Sequence, residues 1–106
     1  MPSLVTGFVD EEEKENHFLD HWHEFNPKFP SADAYEAAAI QFLTKARTVT
    51  ILECVRRNGD VIRFDQTTDE FAICSRDGIL KTYYKPTPQW HRRASNLAYF
   101  WEQCAR

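Results

Sequence analysis

Asn58-Gly59-Asp60-Val61-Ile62-Arg63-Phe64-Asp65 is the stretch on which the fold turns. Asn-Gly is the strongest short hairpin signal, a type I′ turn with positive φ at both central positions. Residues 49–57 before it are β-branched and mostly apolar, and 60–66 after it alternate with the two-residue period of a strand. The same composition returns at 70–75 and 79–85, with turns at 67–69 and at Arg76-Asp77-Gly78, and Pro86 and Pro88 stop the last run. Four antiparallel strands joined as a meander are therefore expected.

Upstream the period changes to that of a helix. Phe18, Leu19, Trp22 and Phe25 fall at helical spacing over residues 10–25, with Lys14, His17 and His21 along one edge of the apolar stripe. A side chain on that edge can be half buried and still reach a cleft. Pro27 and Pro30 interrupt the chain, and Ser31 is placed to cap a second helix running to about residue 47, with Tyr35, Ala38, Ala39, Phe42, Leu43 and Ala46 on its apolar face. From Gln89 onward Trp90, Leu97, Phe100, Trp101 and Cys104 share the face of a closing helix. The expected fold is α+β: two N-terminal helices, a four-stranded antiparallel meander sheet and a C-terminal helix.

The 106 residues suffice for a single domain, 1–106, and eight Phe, four Tyr and three Trp supply its core. No apolar run reaches the length of a membrane span, and no secretory leader pattern opens the chain. Met1 leans toward a free-standing protein rather than the tail of a longer one. Cys54, Cys74 and Cys104 are odd in number and lack CxxC spacing, which predicts free thiols in a reducing compartment. The formal charge of −3 argues mildly against a nucleic-acid partner, but its distribution reverses the argument. Residues 1–55 hold four basic and ten acidic side chains, whereas 56–93 hold eight basic and five acidic ones, so the sheet half is locally positive. The run Asp10-Glu11-Glu12-Glu13 reads as the acidic first turn of a helix.

Pairing Asp65 with Glu70, and Ser75 with Ile79, sets a register. Arg63 then faces Ala72 and Ala72 faces Thr82, with Asp65 and Tyr84 further along the same surface, while Ile62, Phe64, Phe71, Ile73 and Tyr83 share the other. The expectation is one core face and one face for chemistry, with the small Ala72 and Cys74 leaving a shallow floor.

His17-Phe18, His21 with Glu24-Phe25, Tyr35 with Ala38 or Ala39, Arg63-Phe64-Asp65, Glu70-Phe71-Ala72-Ile73 and the run from Asp77 to Pro86 resemble, in order and spacing, the small bacterial toxin nucleases of the barnase, EndoU, colicin E5/D and RelE-like (BECR) superfamily. The nuclease tails of contact-dependent growth inhibition toxins are the closest in pattern. The resemblance covers the chain from about His17 to Phe100. It implies a metal-independent ribonuclease without a cofactor, acting on RNA, commonly transfer RNA, in the bacterial cytoplasm and neutralised by a cognate immunity protein. It also implies a Lys-His pair on the first helix; His21 matches the histidine, and Asp20 stands where the lysine is expected. Thr82 and Tyr84 match the family's threonine and aromatic before proline, and Arg63 and Asp65 its strand pair.

Metal-free RNA cleavage uses the 2′-hydroxyl as internal nucleophile, so the enzyme supplies a base, an acid for the leaving 5′-oxygen and positive charge for the phosphate. On this reading His21 is the base or acid and Arg63 the bidentate phosphate clamp, unless Arg63 merely pairs with Asp65. Thr82 donates to a phosphate oxygen or is simply a strand residue. Tyr84 stacks a base or donates its hydroxyl, or packs in the core. His17, Lys85 and His91 are candidates for contacting substrate. Two other classes stay open: a divalent-metal site from His17 and His21 with Glu24, and a domain that keeps the fold but only binds RNA or protein.

Overall fold

The computed structural model describes residues 4–106, so Met1 lies outside the described residues. Among them the order is α1 (Glu11–His21), a 3-10 turn (Trp22–Glu24), α2 (Ala32–Thr44), β1 (Ile51–Val55), β2 (Val61–Asp65), β3 (Phe71–Cys74), β4 (Leu80–Tyr84), α3 (Pro88–His91) and α4 (Asn96–Cys104). The sheet is an antiparallel meander, β1-β2-β3-β4. The expected α+β architecture is present.

Local chemistry accounts for the helix ends. Asp10 accepts from Glu13 N–H and Ser31 from Ala34 N–H, so each satisfies a donor that the first turn leaves open. Lys14 is buried and bridges Glu11 and Asp33, tying α1 to the start of α2. Leu19, expected on the buried stripe, is 59% exposed instead. The closing helix is two helices. Arg92 enters the left-handed region at φ 62° and ends α3, and Ser95 caps α4 through Ala98 N–H. The buried face of α4 is therefore Tyr99, Phe100 and Gln103, while Trp90, Leu97 and Trp101 stay exposed.

The Asn58-Gly59 turn is not type I′. Gly59 alone takes positive φ, 94°, and its N–H closes on Arg56 O while Arg56 N–H bonds to Asp60 O, a three-residue connection with the left-handed residue last. Both other turns pair as expected: Asp65 N–H to Glu70 O at 2.9 Å and Ser75 N–H to Ile79 O at 2.8 Å. Arg63 accordingly faces Ala72.

The register across β3 and β4 differs from expectation. Cys74 faces Leu80, but Ile73 faces Thr82, so Lys81 is an extra residue and the strand slips by one at a bulge. Ala72 therefore faces Tyr83, and Thr82 and Tyr84 turn to the opposite side of the sheet from Arg63. Lys81 itself reaches Asp60 at 2.9 Å.

Nor is one side of the sheet open. Tyr35, Ala39, Phe42 and Leu43 of α2 pack with Ala72, Cys74 and Tyr83, while Tyr99 and Phe100 of α4 pack with Ile62, Phe64, Phe71 and Ile73 on the other side. The small side chains of Ala72 and Cys74 leave room for α2 and its aromatics, not for a substrate.

Cys54 and Cys104 form a disulfide between β1 and the end of α4, and only Cys74 is free and buried, contrary to the expectation of three free thiols. The two partners are 50 residues apart, a separation that leaves no local spacing signal. Arg56 reinforces the junction, donating from Nε to Gln103 O at 2.8 Å and from a terminal nitrogen to Gln103 Oε1 at 3.0 Å. Among the described residues no helix is long and apolar enough to cross a membrane.

Candidate functional site

Where the end of α1 meets the end of β4, a cleft of about 440 Å³ is lined by Asp20, His21, His23, Glu24, Tyr84, Lys85, Thr87 and Trp90. Each wall has a local cause. The α-helix tightens to a 3-10 turn after His21, which brings Glu24 back beneath the imidazole. The β4 bulge aims Tyr84 at the cleft, and Pro86 and Pro88 end the strand so that Thr87 caps α3 and sets Trp90 at the rim.

At its centre His21 Nδ1 donates to Glu24 Oε2 at 2.8 Å, and the other carboxylate oxygen of Glu24 accepts from Lys85 N–H at 2.9 Å. One side chain thus fixes the imidazole and the start of the loop after β4. Holding the proton on Nδ1 leaves Nε2 as the basic nitrogen. The ring stacks on Tyr84 with centroids 5.1 Å apart, and Trp90 meets Tyr84 edge-on at 5.9 Å. Tyr84 and Tyr99 join hydroxyls at 2.5 Å. Burial, and then the bond to Tyr99, push the Tyr84 phenol far above its ordinary range, so at neutral pH it is a hydrogen-bonding and stacking group rather than a base.

The structure brings His21, Tyr84 and Lys85 together and leaves the other sequence candidates elsewhere. Arg63 is fully buried: Nε donates to Glu53 at 2.7 Å, and Nη1 to Phe42 O at 3.1 Å and Lys45 O at 2.7 Å. It closes the open carbonyls at the C-terminus of α2, where a cation also complements the helix dipole, so it is a structural cation and not a phosphate clamp. Burial raises the Glu53 carboxyl, but the hydrogen bond and charge of Arg63 help to outweigh this and hold it below its ordinary value. Asp65 is buried and accepts from the backbone N–H and hydroxyl of Thr67, shaping the β2–β3 turn. Thr82 is half-buried on the α4 side of the sheet, away from Arg63.

His17 stacks between Phe8 at 4.9 Å and His21 at 6.2 Å, its Nδ1 buried without a hydrogen-bond partner among the described residues, and burial lowers its pKa despite nearby Glu13. His91 Nδ1 accepts from Arg93 N–H, so Nε2 donates to Asn96 at 2.8 Å; with both nitrogens engaged and the ring stacked on Tyr99, it is a packing residue. Among the described residues no group of three His, Cys, Asp or Glu side chains is placed to hold a metal ion, which removes the support for a site from His17, His21 and Glu24.

Sequence reasoning missed Glu24 as the partner of His21, although their i, i+3 spacing was visible. It also missed Thr87, Trp90 and Tyr99, whose approach to Tyr84 depends on long-range packing. Compared with known proteins, the sequence matches no family model and no curated protein.

Proposed function

We propose that this chain is a metal-independent ribonuclease whose catalytic base is His21. The observation that carries the reading is a histidine fixed by a carboxylate, Glu24, and facing a cleft that also offers a cation and aromatic faces. A single strand of RNA needs such surfaces, because bases stack on aromatic side chains while cations meet the phosphates. His21 Nε2 takes the proton of the 2′-hydroxyl as its oxygen attacks phosphorus, and the imidazolium then returns a proton to the departing 5′-oxygen. Glu24 stabilises the cation that forms between these steps. Lys85 supplies positive charge at the cleft border, and Tyr84 and Trp90 offer ring surfaces to a base.

The resemblance to BECR toxin nucleases supports transfer RNA as substrate and an immunity protein as partner. The Cys54–Cys104 disulfide supports a chain that passes through an oxidising space before acting in a bacterial cytoplasm. Asp20 at the cleft wall, and Arg63 withdrawn beneath α2, favour a second reading in which the domain binds RNA without cleaving it.

The test is incubation of the purified protein with total transfer RNA in EDTA, beside His21→Ala. Cleavage that persists in EDTA and disappears in the variant is expected; intact RNA with measurable binding supports the second reading.

A further inference from the structure

A second cleft, also of about 440 Å³, adjoins the first at Lys85, and its walls include Phe25, Pro27, Phe29, Ala38, Glu70 and Tyr83. Lys85 lines both clefts, and its ammonium sits 5.4 Å from the centre of the Phe25 ring. The second cleft is thus apolar and aromatic on one side, carries a cation at the border with the first, and contains one carboxylate.

Glu70 is held in place by its neighbours. One oxygen accepts from Thr68 Oγ1 at 2.8 Å and the other from the Tyr83 hydroxyl. Tyr83 is in turn buried among Phe25, Phe29 and Tyr35. A carboxylate has about four lone-pair positions, so two remain for a ligand. The ligand chemistry that fits is a flat ring with N–H donors on its edge, attached to an anion that lies against Lys85.

We infer that the second cleft is a nucleobase subsite, in which an RNA base lies against Phe29 and donates its exocyclic amino group to Glu70 while its phosphate crosses Lys85 toward His21. This deepens the ribonuclease reading and rests on it. The subsite accepts adenine, cytosine or guanine, and disfavours uracil, which has no exocyclic amino group and whose one donor on that edge, N3–H, lies between two carbonyl oxygens that the carboxylate repels. A carboxylate that accepts from an exocyclic amino group loses part of that bonding, and meets carbonyl lone pairs instead, when the base presents oxygens there, so such a base binds less tightly.

The test uses uncleavable 2′-O-methyl oligomers of A, C and U at one fixed salt concentration, with binding read by fluorescence anisotropy. The proteins are wild type, Glu70→Gln, Ala38→Leu and His21→Ala, each checked for a native melting transition. The wild type is expected to bind the A and C oligomers roughly tenfold more tightly than U. Glu70→Gln is expected to compress that ratio to about twofold or less, and Ala38→Leu, which narrows the cleft and keeps the carboxylate, to weaken A and C while leaving U nearly unchanged. His21→Ala is expected to keep the wild-type ratio. Binding of all three oligomers with the same ratio in wild type and Glu70→Gln overturns the subsite while leaving an RNA-binding protein. No binding to any oligomer, together with intact transfer RNA, overturns the ribonuclease reading as well.

Discussion

Glu24 Oε2 lies 2.8 Å from His21 Nδ1, so the imidazole at the centre of the cleft is oriented by a carboxylate three residues further along the same chain. The pair forms because the helix tightens there into a 3-10 turn. On the proposed function, Glu24 is a positioning residue. Glu24→Ala is expected to lower kcat for RNA cleavage roughly ten- to a hundredfold with little change in KM, and Glu24→Asp to recover part of the loss. Equal kcat values for wild type and Glu24→Ala contradict that role.

Arg63 supports α2 from within the sheet. Its removal takes the guanidinium away from Glu53 and from the α2 carbonyls, so Arg63→Leu is expected to lose about 3–5 kcal/mol of stability by urea unfolding. A change of less than about 1 kcal/mol places the guanidinium outside the structural framework.

The disulfide closes a long loop. In the loop-entropy model, linking positions 50 residues apart raises stability by about 4 kcal/mol, so reduction or Cys104→Ser is expected to lower the thermal midpoint markedly. A midpoint unchanged by thiol reductant contradicts the link between β1 and α4.

Acid is expected to weaken the fold first through His17. Burial lowers its folded pKa beneath the ordinary 6.5, so the unfolded chain binds more protons in that window, and stability is lost as pH falls from about 6.5 through the lowered value. The groups around it are Phe8, Glu13, Asp20 and His21. The half-buried Glu53 and the buried Asp60 and Asp65, all held below their ordinary values, act at lower pH. Thermal midpoints between pH 7.5 and 5 are expected to fall less steeply for His17→Phe than for wild type; parallel slopes contradict the assignment.

The elements were legible because each carries its own periodicity: alternation in the strands, an i, i+4 stripe in α2, and Ser31 as a cap. The positions of β4 side chains were not. The Ser75–Ile79 pairing was read correctly, but the bulge at Lys81, whose ammonium pairs with Asp60 just before β2, moved Thr82, Tyr83 and Tyr84 by one face. Arg63 looked like a phosphate ligand because composition does not reveal which carbonyls will lie above it. His21, Tyr84 and Lys85 were named from the sequence and line one cleft, although Tyr84 reaches it from the face opposite to the one expected. Cys54 and Cys104 illustrate the remaining limit: a bond across the fold has no local spacing.

The most direct measurement of the proposed chemistry is the structure of the RNA ends after incubation of transfer RNA with the protein in EDTA. Attack by the 2′-hydroxyl leaves a 2′,3′-cyclic phosphate and a 5′-hydroxyl, and these ends are expected with wild type and absent with His21→Ala. RNA that stays intact, ends bearing a 5′-phosphate, or equal cleavage by His21→Ala contradicts His21 as the base of a metal-independent ribonuclease.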